Sequence, residues 1–276
     1  MAQAIFVADG DRFVPTEHAR GPWDPRALHG GAPAALIMAA FERLAPGAGL
    51  RIGRVSFEFL RPIPLAPLTL SVSIARPGRR VQELAAELRA GEEMVVRASA
   101  LRVQGVPAEV AAQAVEAAEG ANDAETHGRS RLDAPMPPPS SGEPLPFTLN
   151  RSGEASFAAT AMEMRWLNDP WQLGPGRVWM RLRHPLLAGE ELTPLARLAA
   201  TADFCNGVSA ALAFERFLFI NADLAIHLQR PPRGEWIGLD ARTRLQAGSA
   251  ATAEGVLHDE HGPLGRAFQT LVVQAR

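Results

Sequence analysis

Two stretches of this chain carry the same pattern, and a fold that repeats is a far narrower choice than a fold that does not. Residues 55–103 open with VSFEFLRP and pass through a turn into three further β-like runs, while residues 224–273 open with LAIHLQRP and do the same. Arg61-Pro62 and Arg230-Pro231 set the two blocks in register, 169 positions apart (230 − 61 = 169). Upstream of each lies a small-residue, apolar, helix-like run ending in the same pair: PAALIMAAFER through Arg43 and GVSAALAFER through Arg216. One unit, duplicated and fused, accounts for both. Duplicates need not keep duplicate sites, so polar residues present in one copy alone are informative. Asp203 stands against Gly30 in the register of the helix-like runs (216 − 43 = 173), and Asn221 and Gln269 stand against Ile52 and Ala100 in the register of the strands.

A length of 276 residues with 47% hydrophobic content is enough for two compact cores. A net charge of −2 offers no general attraction to nucleic acid or to an anionic membrane, so neither partner is expected. The longest apolar stretches are too short and too alanine-rich to span a bilayer, and MAQAIFVADGDRF lacks the regions of a signal peptide, so a soluble cytoplasmic protein is expected. A single cysteine, Cys205, excludes an intramolecular disulfide and a cysteine zinc cluster. All 28 basic residues are arginine and tyrosine is absent, which excludes lysine Schiff-base and tyrosine acid/base chemistry. His227, His258 and His261 lack ligand spacing, so no metal is expected. The glycines form no nucleotide-binding fingerprint.

In the first half, strand-like pieces at 4–8 and 12–15 lead to a loop through Gly21-Pro22-Trp23, then to His29-Gly30-Gly31 and a helical run over 32–44. Pro33 suits the first turn of that helix. The run is apolar nearly all the way round, which predicts burial. Val55, Phe57 and Phe59 alternate onto one strand face, as do Leu224, Ile226 and Leu228. VQELAAELRAG, residues 81–91, has helical propensity, but its partner in the repeat, SAATAEGVLHD, is a poor helix, so both are read as strands. The expected division is 1–105, then a linker over 106–146, then 147–276. Within the linker VPAEVAAQAVEAAEG favours a short helix and PMPPPSSGEPLP does not fold by itself. The fold class expected is α+β, with two tandem units, each an antiparallel sheet wrapped around a long central helix.

These pieces together resemble the acyl-CoA thioesterase II-like family of tandem hotdog proteins: His29-Gly30-Gly31 before the first helix, FLRP in the first half, Ala202-Asp203-Phe204 opening the second helix, Asn221-Ala222-Asp223-Leu224 running into LQRPP, and Gln269 in the last strand. The resemblance implies hydrolysis of an acyl-CoA to acid and coenzyme A with no bound cofactor, by a water that Asp203, Asn221 and Gln269 hold in the second unit. Asn221 departs from the threonine of the best-known members. His29, Gly30 and Gly31 become candidates for substrate binding. A further homodimer is compatible with such a fold.

Thioester hydrolysis needs a positioned water, a group to orient it or take its proton, and donors for the oxyanion. A carboxylate accepts from water and amides both donate and accept. The Gly31 amide is the first candidate oxyanion donor, with Asn206 or Gly207 as alternatives. Each residue also has an ordinary structural role open to it. Asp203 stands where a helix N-cap belongs. Asn221 falls opposite the Ile220, Ala222, Leu224 series, which fits plain exposure. Gln269 alternates with Ala267, Leu271 and Val273 and would need a buried partner. Cys205 is read as a small buried residue, and Arg233, Arg242 and Arg244 as surface arginines able to meet phosphates. Met38, Phe41, Phe204 and Phe217 are the expected acyl-pocket lining. Two other functions stay open: a double-hotdog enoyl-CoA hydratase, which lacks its Asp-x-x-x-x-His pairing here, and a non-catalytic acyl-binding protein.

Overall fold

Alanine-rich helices can approach one another closely, and the centre of the molecule is built on that contact. In the computed structural model, which describes residues 4–45, 49–113, 135–145 and 154–276, helix α1 (Gly31–Arg43) is buried along almost its whole length. It packs against α2 (Pro194–Ala202), whose inner face carries Ala196, Ala199 and Ala200, all fully buried. The two run antiparallel. A β-carbon on Gly31 at the start of α1 would sit 2.7 Å from the Ala200 carbonyl oxygen near the end of α2, so only glycine fits there. At the other end Glu42 accepts hydrogen bonds from the Thr193 hydroxyl and, at 3.4 Å, from the Leu195 amide, capping α2 from a different chain segment.

Burial pushes the Glu42 carboxyl above its ordinary value of 4.5, against the opposing hydrogen bonds from Thr193 and Leu195. A raised folded value means that this group's contribution to stability is complete below 4.5 and is lost as pH rises through the folded value. Glu42→Gln keeps an acceptor for Thr193 and never ionises. Thermal unfolding should therefore favour the wild type least at neutral pH, with the gap moving toward Glu42→Gln as pH rises above 4.5. A gap that moved the other way would contradict this account.

Among the described residues fourteen strands form one continuous sheet. The first half supplies β1 (Phe6–Asp9), β2 (Arg12–Pro15), β3 (Leu50–Phe59), β4 (Leu68–Arg76), β5 (Val81–Ala90) and β6 (Glu93–Gln104). The remainder supplies β7 (Glu143–Pro144), β8 (Met162–Trp166), β9 (Gly176–Leu182), β10 (Phe217–Asn221), β11 (Asp223–Leu228), β12 (Ile237–Arg244), β13 (Ala251–Asp259) and β14 (Gly262–Ala275). Their order is β1-β2-β4-β5-β6-β3-β11-β14-β13-β12-β9-β8-β7, with β10 also on β14. The halves join through β3 and β11, which pair antiparallel with Val55 opposite Ile226. This seam places the two repeated FLRP-type strands side by side, with Val55, Phe57, Leu224 and Ile226 all fully buried against the helices.

Residues 81–90 are a strand despite their helical propensity. Gln82, Leu84, Ala86 and Leu88 alternate into the core, and pairing with β4 and β6 overrides the local preference. The long central helix expected in each half is not found. The first is 13 residues, and the second is a 9-residue α2 followed by a 4-residue α3 (Cys205–Val208). GVSAALAFER, taken from sequence as the second helix, is non-helical beyond Val208. The helix starts earlier because Thr193 caps it, with Pro194 in its first position. It stops because the Ser209 hydroxyl donates to the Cys205 carbonyl and meets Thr243, and because Phe214 turns toward Trp23 and Phe219. Of the expected linker, residues 108–113 are helical and β7 pairs with β8, while residues 114–134 lie outside the described residues. Trp179 Nε1 donates to the Pro137 carbonyl at 2.7 Å, tying this segment to the sheet.

Candidate active site

Because α1 and α2 are antiparallel, the end of α2 meets the start of α1, and Asp203 stands at that junction. It is the C-cap of α2, its amide donating to the Thr201 carbonyl, and not the helix N-cap that the sequence suggested. Nor is it the counterpart of Gly30 in the repeat. The two positions touch: a β-carbon on Gly30 would lie 2.9 and 3.1 Å from the Asp203 carboxylate oxygens. Glycine at 30 is what allows a buried carboxylate, 3% exposed, to lie against the loop that opens α1.

Side chains from three other elements converge on this carboxylate. Asn221 Nδ2 reaches Oδ1 at 2.9 Å. Gln269 Nε2 donates to the Asp203 carbonyl at 3.0 Å and lies 3.4 Å from Oδ1. His29 Nδ1 is 3.0 Å from Oδ2. A carboxylate taken from water must recover its hydrogen bonds within the protein, and Asn221 and Gln269 supply them, with the His29 ring beside Oδ2. Gln269, 1% exposed, is held in turn by the Asn206 amide, which donates to its Oε1 at 3.0 Å. Its buried partner, required by the alternation along β14, is therefore the Asp203 loop.

Asn221 reaches the same point through a break in the strand. Between β10 and β11 the register against β14 shifts: Asn221 opposes Leu271, a sum of 492, whereas Ala225 opposes Phe268, a sum of 493. One extra residue is inserted, a β-bulge. The inward series is consequently Phe219 and Asn221 before the bulge and Leu224 and Ile226 after it, while Ile220 and Ala222 face outward. Strict alternation through 220, 222 and 224 had placed Asn221 on the exposed side, and the bulge reverses that.

The group opens onto a cavity of about 600 Å³. Its walls include Trp23, Phe59, Ile63, Phe204, Phe214 and Leu218, with His29, Gly30, Asp203 and Asn221 at its polar end and Arg20 and Arg61 also on its surface. Of the expected acyl-pocket residues only Phe204 lines it. Met38 and Phe41 are fully buried elsewhere in the core, and Phe217 is not part of the wall. Trp23 was missed because it sits on a loop, where periodicity gives no signal, and Phe214 because it fell within the run read as the second helix. Gln269 also lies off the wall, behind Asp203. A larger cleft of about 710 Å³ on the outer side of the second-half sheet holds Arg242 and Arg244, so these arginines do not serve the Asp203 cavity. That cleft contains none of the converging residues, and chemistry outranks volume in choosing between the two.

The Gly31 amide, the first candidate oxyanion donor, points at His29 Nδ1 at 3.0 Å, and the Asn206 amide is taken by Gln269. Gly30 and Gly207 remain on the cavity wall, and among the described residues neither amide has a protein acceptor. Cys205 is fully buried, and burial, with the Asp203 charge adding, pushes its thiol well above the ordinary 9.0, which removes it as a nucleophile.

Sequence profiles match over most of the chain. The acyl-CoA thioesterase N-terminal domain matches residues 19–103, and the acyl-CoA thioesterase C-terminal domain matches residues 133–273. The chain belongs to the acyl-CoA thioesterase family. This thioesterase shares its fold with solved structures from several bacteria. A hot dog fold protein from Alicyclobacillus acidocaldarius is 16% identical, with a TM-score of 0.67 over 98% of this chain and 95% of the other. The tesB protein of Mycobacterium avium subs paratuberculosis is 16% identical, with a TM-score of 0.61 over 98% and 96%. Acyl-CoA thioesterase II TesB2 of Mycobacterium marinum is 16% identical, with a TM-score of 0.61 over 100% and 94%. No curated protein matches the sequence. As a family member the thioesterase is a thioester hydrolase, and its antiparallel sheet and buried helices are those of the hot dog fold. No helix among its described residues is long and apolar enough to cross a membrane.

Proposed function

We propose that the protein hydrolyses acyl-CoA thioesters by direct attack of a water bound at Asp203, in a site assembled from both halves. One observation carries this reading: a single buried carboxylate, held by Asn221, Gln269 and His29, at the polar end of an otherwise apolar cavity. The acyl chain occupies the aromatic walls, where each buried methylene contributes about 0.8 kcal/mol. Arg20 and Arg61 offer charge to the anionic coenzyme. The Gly30 amide, without a protein acceptor, receives the oxyanion.

The polar residues divide their labour. Gln269 spends both its amide groups on protein partners and fixes the carboxylate from behind. Asn221 donates to Asp203 and to the Asp223 carbonyl, which leaves its Oδ1 toward the cavity as a second acceptor for the water. The division into 1–105, 106–146 and 147–276 is part of the same proposal, with the first unit supplying His29 and Gly30 and the last supplying Asp203, Asn221 and Gln269.

The test is thiol release from a panel of short, long and aromatic acyl-CoAs, with a 2-enoyl-CoA included. Release of thiol is the expected result, and the preferred chain reports the depth of the apolar wall. Hydration of the enoyl-CoA with no thiol released anywhere would replace hydrolysis with water addition, and tight binding with neither reaction would leave an acyl-binding protein.

A further inference from the structure

The duplication supplies its own control for one cavity residue, Arg61. Its counterpart Arg230 is fully employed in holding the fold. Nη1 and Nη2 donate to the two carboxylate oxygens of Asp259, both at 2.6 Å, and Nη2 also donates to the Gly262 carbonyl at 3.1 Å. Asp259, whose side chain is fully buried, accepts in addition from the Arg233 amide at 3.0 Å and the His261 amide at 2.8 Å. The second Arg-Pro turn is thereby pinned to the β13–β14 hairpin. In the first half the matching hairpin is β5–β6, and it lacks the carboxylate. Ala90 pairs with Glu93 as Asp259 pairs with Gly262, and 259 − 169 = 90 puts Ala90 at the Asp259 position. Among the described residues Arg61 is left with one ion pair, to Glu93 at 3.6 Å, in which both side chains are more than half exposed. A pair of that kind contributes little to stability, so Arg61 is released from the duty its duplicate performs.

What Arg61 has instead is a place on the wall of the Asp203 cavity. It follows Phe59 by two residues, and the Phe59 ring comes within 3.1 Å of where a β-carbon on Gly30 would stand, beside the Asp203 carboxylate. Its segment is tied to the loop that carries Trp23, since the Leu28 amide donates to the Ile63 carbonyl at 2.8 Å and the Leu65 amide to the Arg26 carbonyl at 2.7 Å. A second arginine, Arg20, reaches the same wall from the start of that loop. Its Nη1 meets the Ala155 carbonyl at 3.4 Å and Glu154 at 3.5 Å, and its buried Nε has no hydrogen-bond partner among the described residues. Neither carboxylate on the wall occupies these arginines: Asp24 is taken by Arg26 Nε and Nη2, at 3.1 and 2.9 Å, and Asp203 by Asn221 and Gln269. We infer that Arg61, assisted by Arg20, anchors a phosphate of the coenzyme, and that this contact makes the protein select coenzyme A thioesters over thioesters of carriers without phosphate. The inference rests on the thioesterase reading above and adds what the thiol side of the substrate must carry. A guanidinium fork matches two phosphate oxygens, and such charge-assisted bonds are the stronger kind. The phosphates lie a pantetheine arm away from the sulfur, so the contact grips ground state and transition state alike and is read in KM, not in kcat.

The test places one acyl group, the one that the wild type hydrolyses fastest, on coenzyme A, on phosphopantetheine and on pantetheine. Wild-type KM should be about tenfold or more lower for the coenzyme A thioester than for the pantetheine thioester. A phosphopantetheine value near the first puts the contact on the phosphate next to the pantetheine arm, and one near the second puts it on the adenosine side; either supports the inference. Arg61→Gln, at an exposed position with no buried partner, should raise KM for the coenzyme A thioester about tenfold, with kcat within about threefold and the pantetheine KM unmoved. Arg61→Lys, which keeps the charge without the fork, should recover part of the loss. Added salt should raise KM for the coenzyme A thioester more in wild type than in Arg61→Gln. Equal wild-type KM values for the coenzyme A and pantetheine thioesters overturn the inference. So does an Arg61→Gln protein that raises both values alike, since a general disturbance of the cavity would then account for the loss. Wild-type protein that releases no thiol from any acyl-CoA removes the thioesterase reading and this inference with it. Active wild type beside an Arg61→Gln protein with unchanged KM removes this inference alone.

Discussion

Replacing Asp203 by asparagine is expected to lower kcat for acyl-CoA hydrolysis by roughly 10²- to 10⁴-fold while leaving the protein folded. The carboxamide oxygen can take the place of Oδ1 and keep the donors from Asn221 and Gln269, at 2.9 and 3.4 Å. The carboxamide nitrogen then replaces Oδ2, 3.0 Å from His29 Nδ1, and it is a donor. His29 Nδ1 already presents a lone pair, since it accepts from the Gly31 amide at 3.0 Å, so no two donors face each other. Every buried acceptor remains satisfied, and the substitution therefore removes the carboxylate's charge from the site without the cost of an orphaned buried polar group. Thermal unfolding and circular dichroism check the fold, and thiol release checks the activity. A soluble Asp203→Asn protein with wild-type turnover would sink the mechanism.

The polar trio was legible in the sequence as three residues but not as a geometry. The duplication singled out Asp203, Asn221 and Gln269 because they lacked partners in the first half, and the alternation of β14 showed that Gln269 needed a buried partner. What the partner was could not be read, because Gln269 meets Asp203 only after α2 and β14 have packed. Period-two counting put Asn221 on the wrong face, since a bulge adds a residue without leaving a compositional mark. The Asp203 position failed for a different reason. The likeness of LAFER to AAFER drew the second helix eight residues too far downstream, from an end at Val208 to one at Arg216 (216 − 208 = 8), so a residue between two helices looked like a cap. His29 was noticed for its Gly-Gly neighbours, yet its contact with Asp203 crosses between the two repeats and no local pattern encodes it. By contrast the strand at 81–90 was recoverable, because the second copy of the repeat outvoted its helical propensity.

Arg102→Met should cost roughly 2–4 kcal/mol of stability. Arg102 stands on β6 opposite Ile52 and Gln82 and is 2% exposed. A helix leaves its last carbonyls without partners, and α1 ends inside the protein, where water cannot reach them all. The planar guanidinium does the work of solvent there. Nη2 donates to the Phe41 and Leu44 carbonyls at 2.5 and 2.6 Å, and Nη1 to the Ala45 carbonyl and Gln82 Oε1 at 3.1 and 3.0 Å. Its positive charge also complements the negative end of the helix. Methionine preserves much of the side-chain volume and none of the donors, so the loss comes from three carbonyls and one amide oxygen left unpaired, each costing about 1–3 kcal/mol if fully dry. Lysine supplies a point charge without the fork and should recover only part of the difference. Urea unfolding at fixed temperature measures the loss, and an Arg102→Met protein within about 0.5 kcal/mol of wild type would refute the assignment. Because the start of α1 carries His29 and Gly30 to the carboxylate, turnover measured well below the unfolding transition should persist, while the temperature at which activity is lost should fall together with the fold.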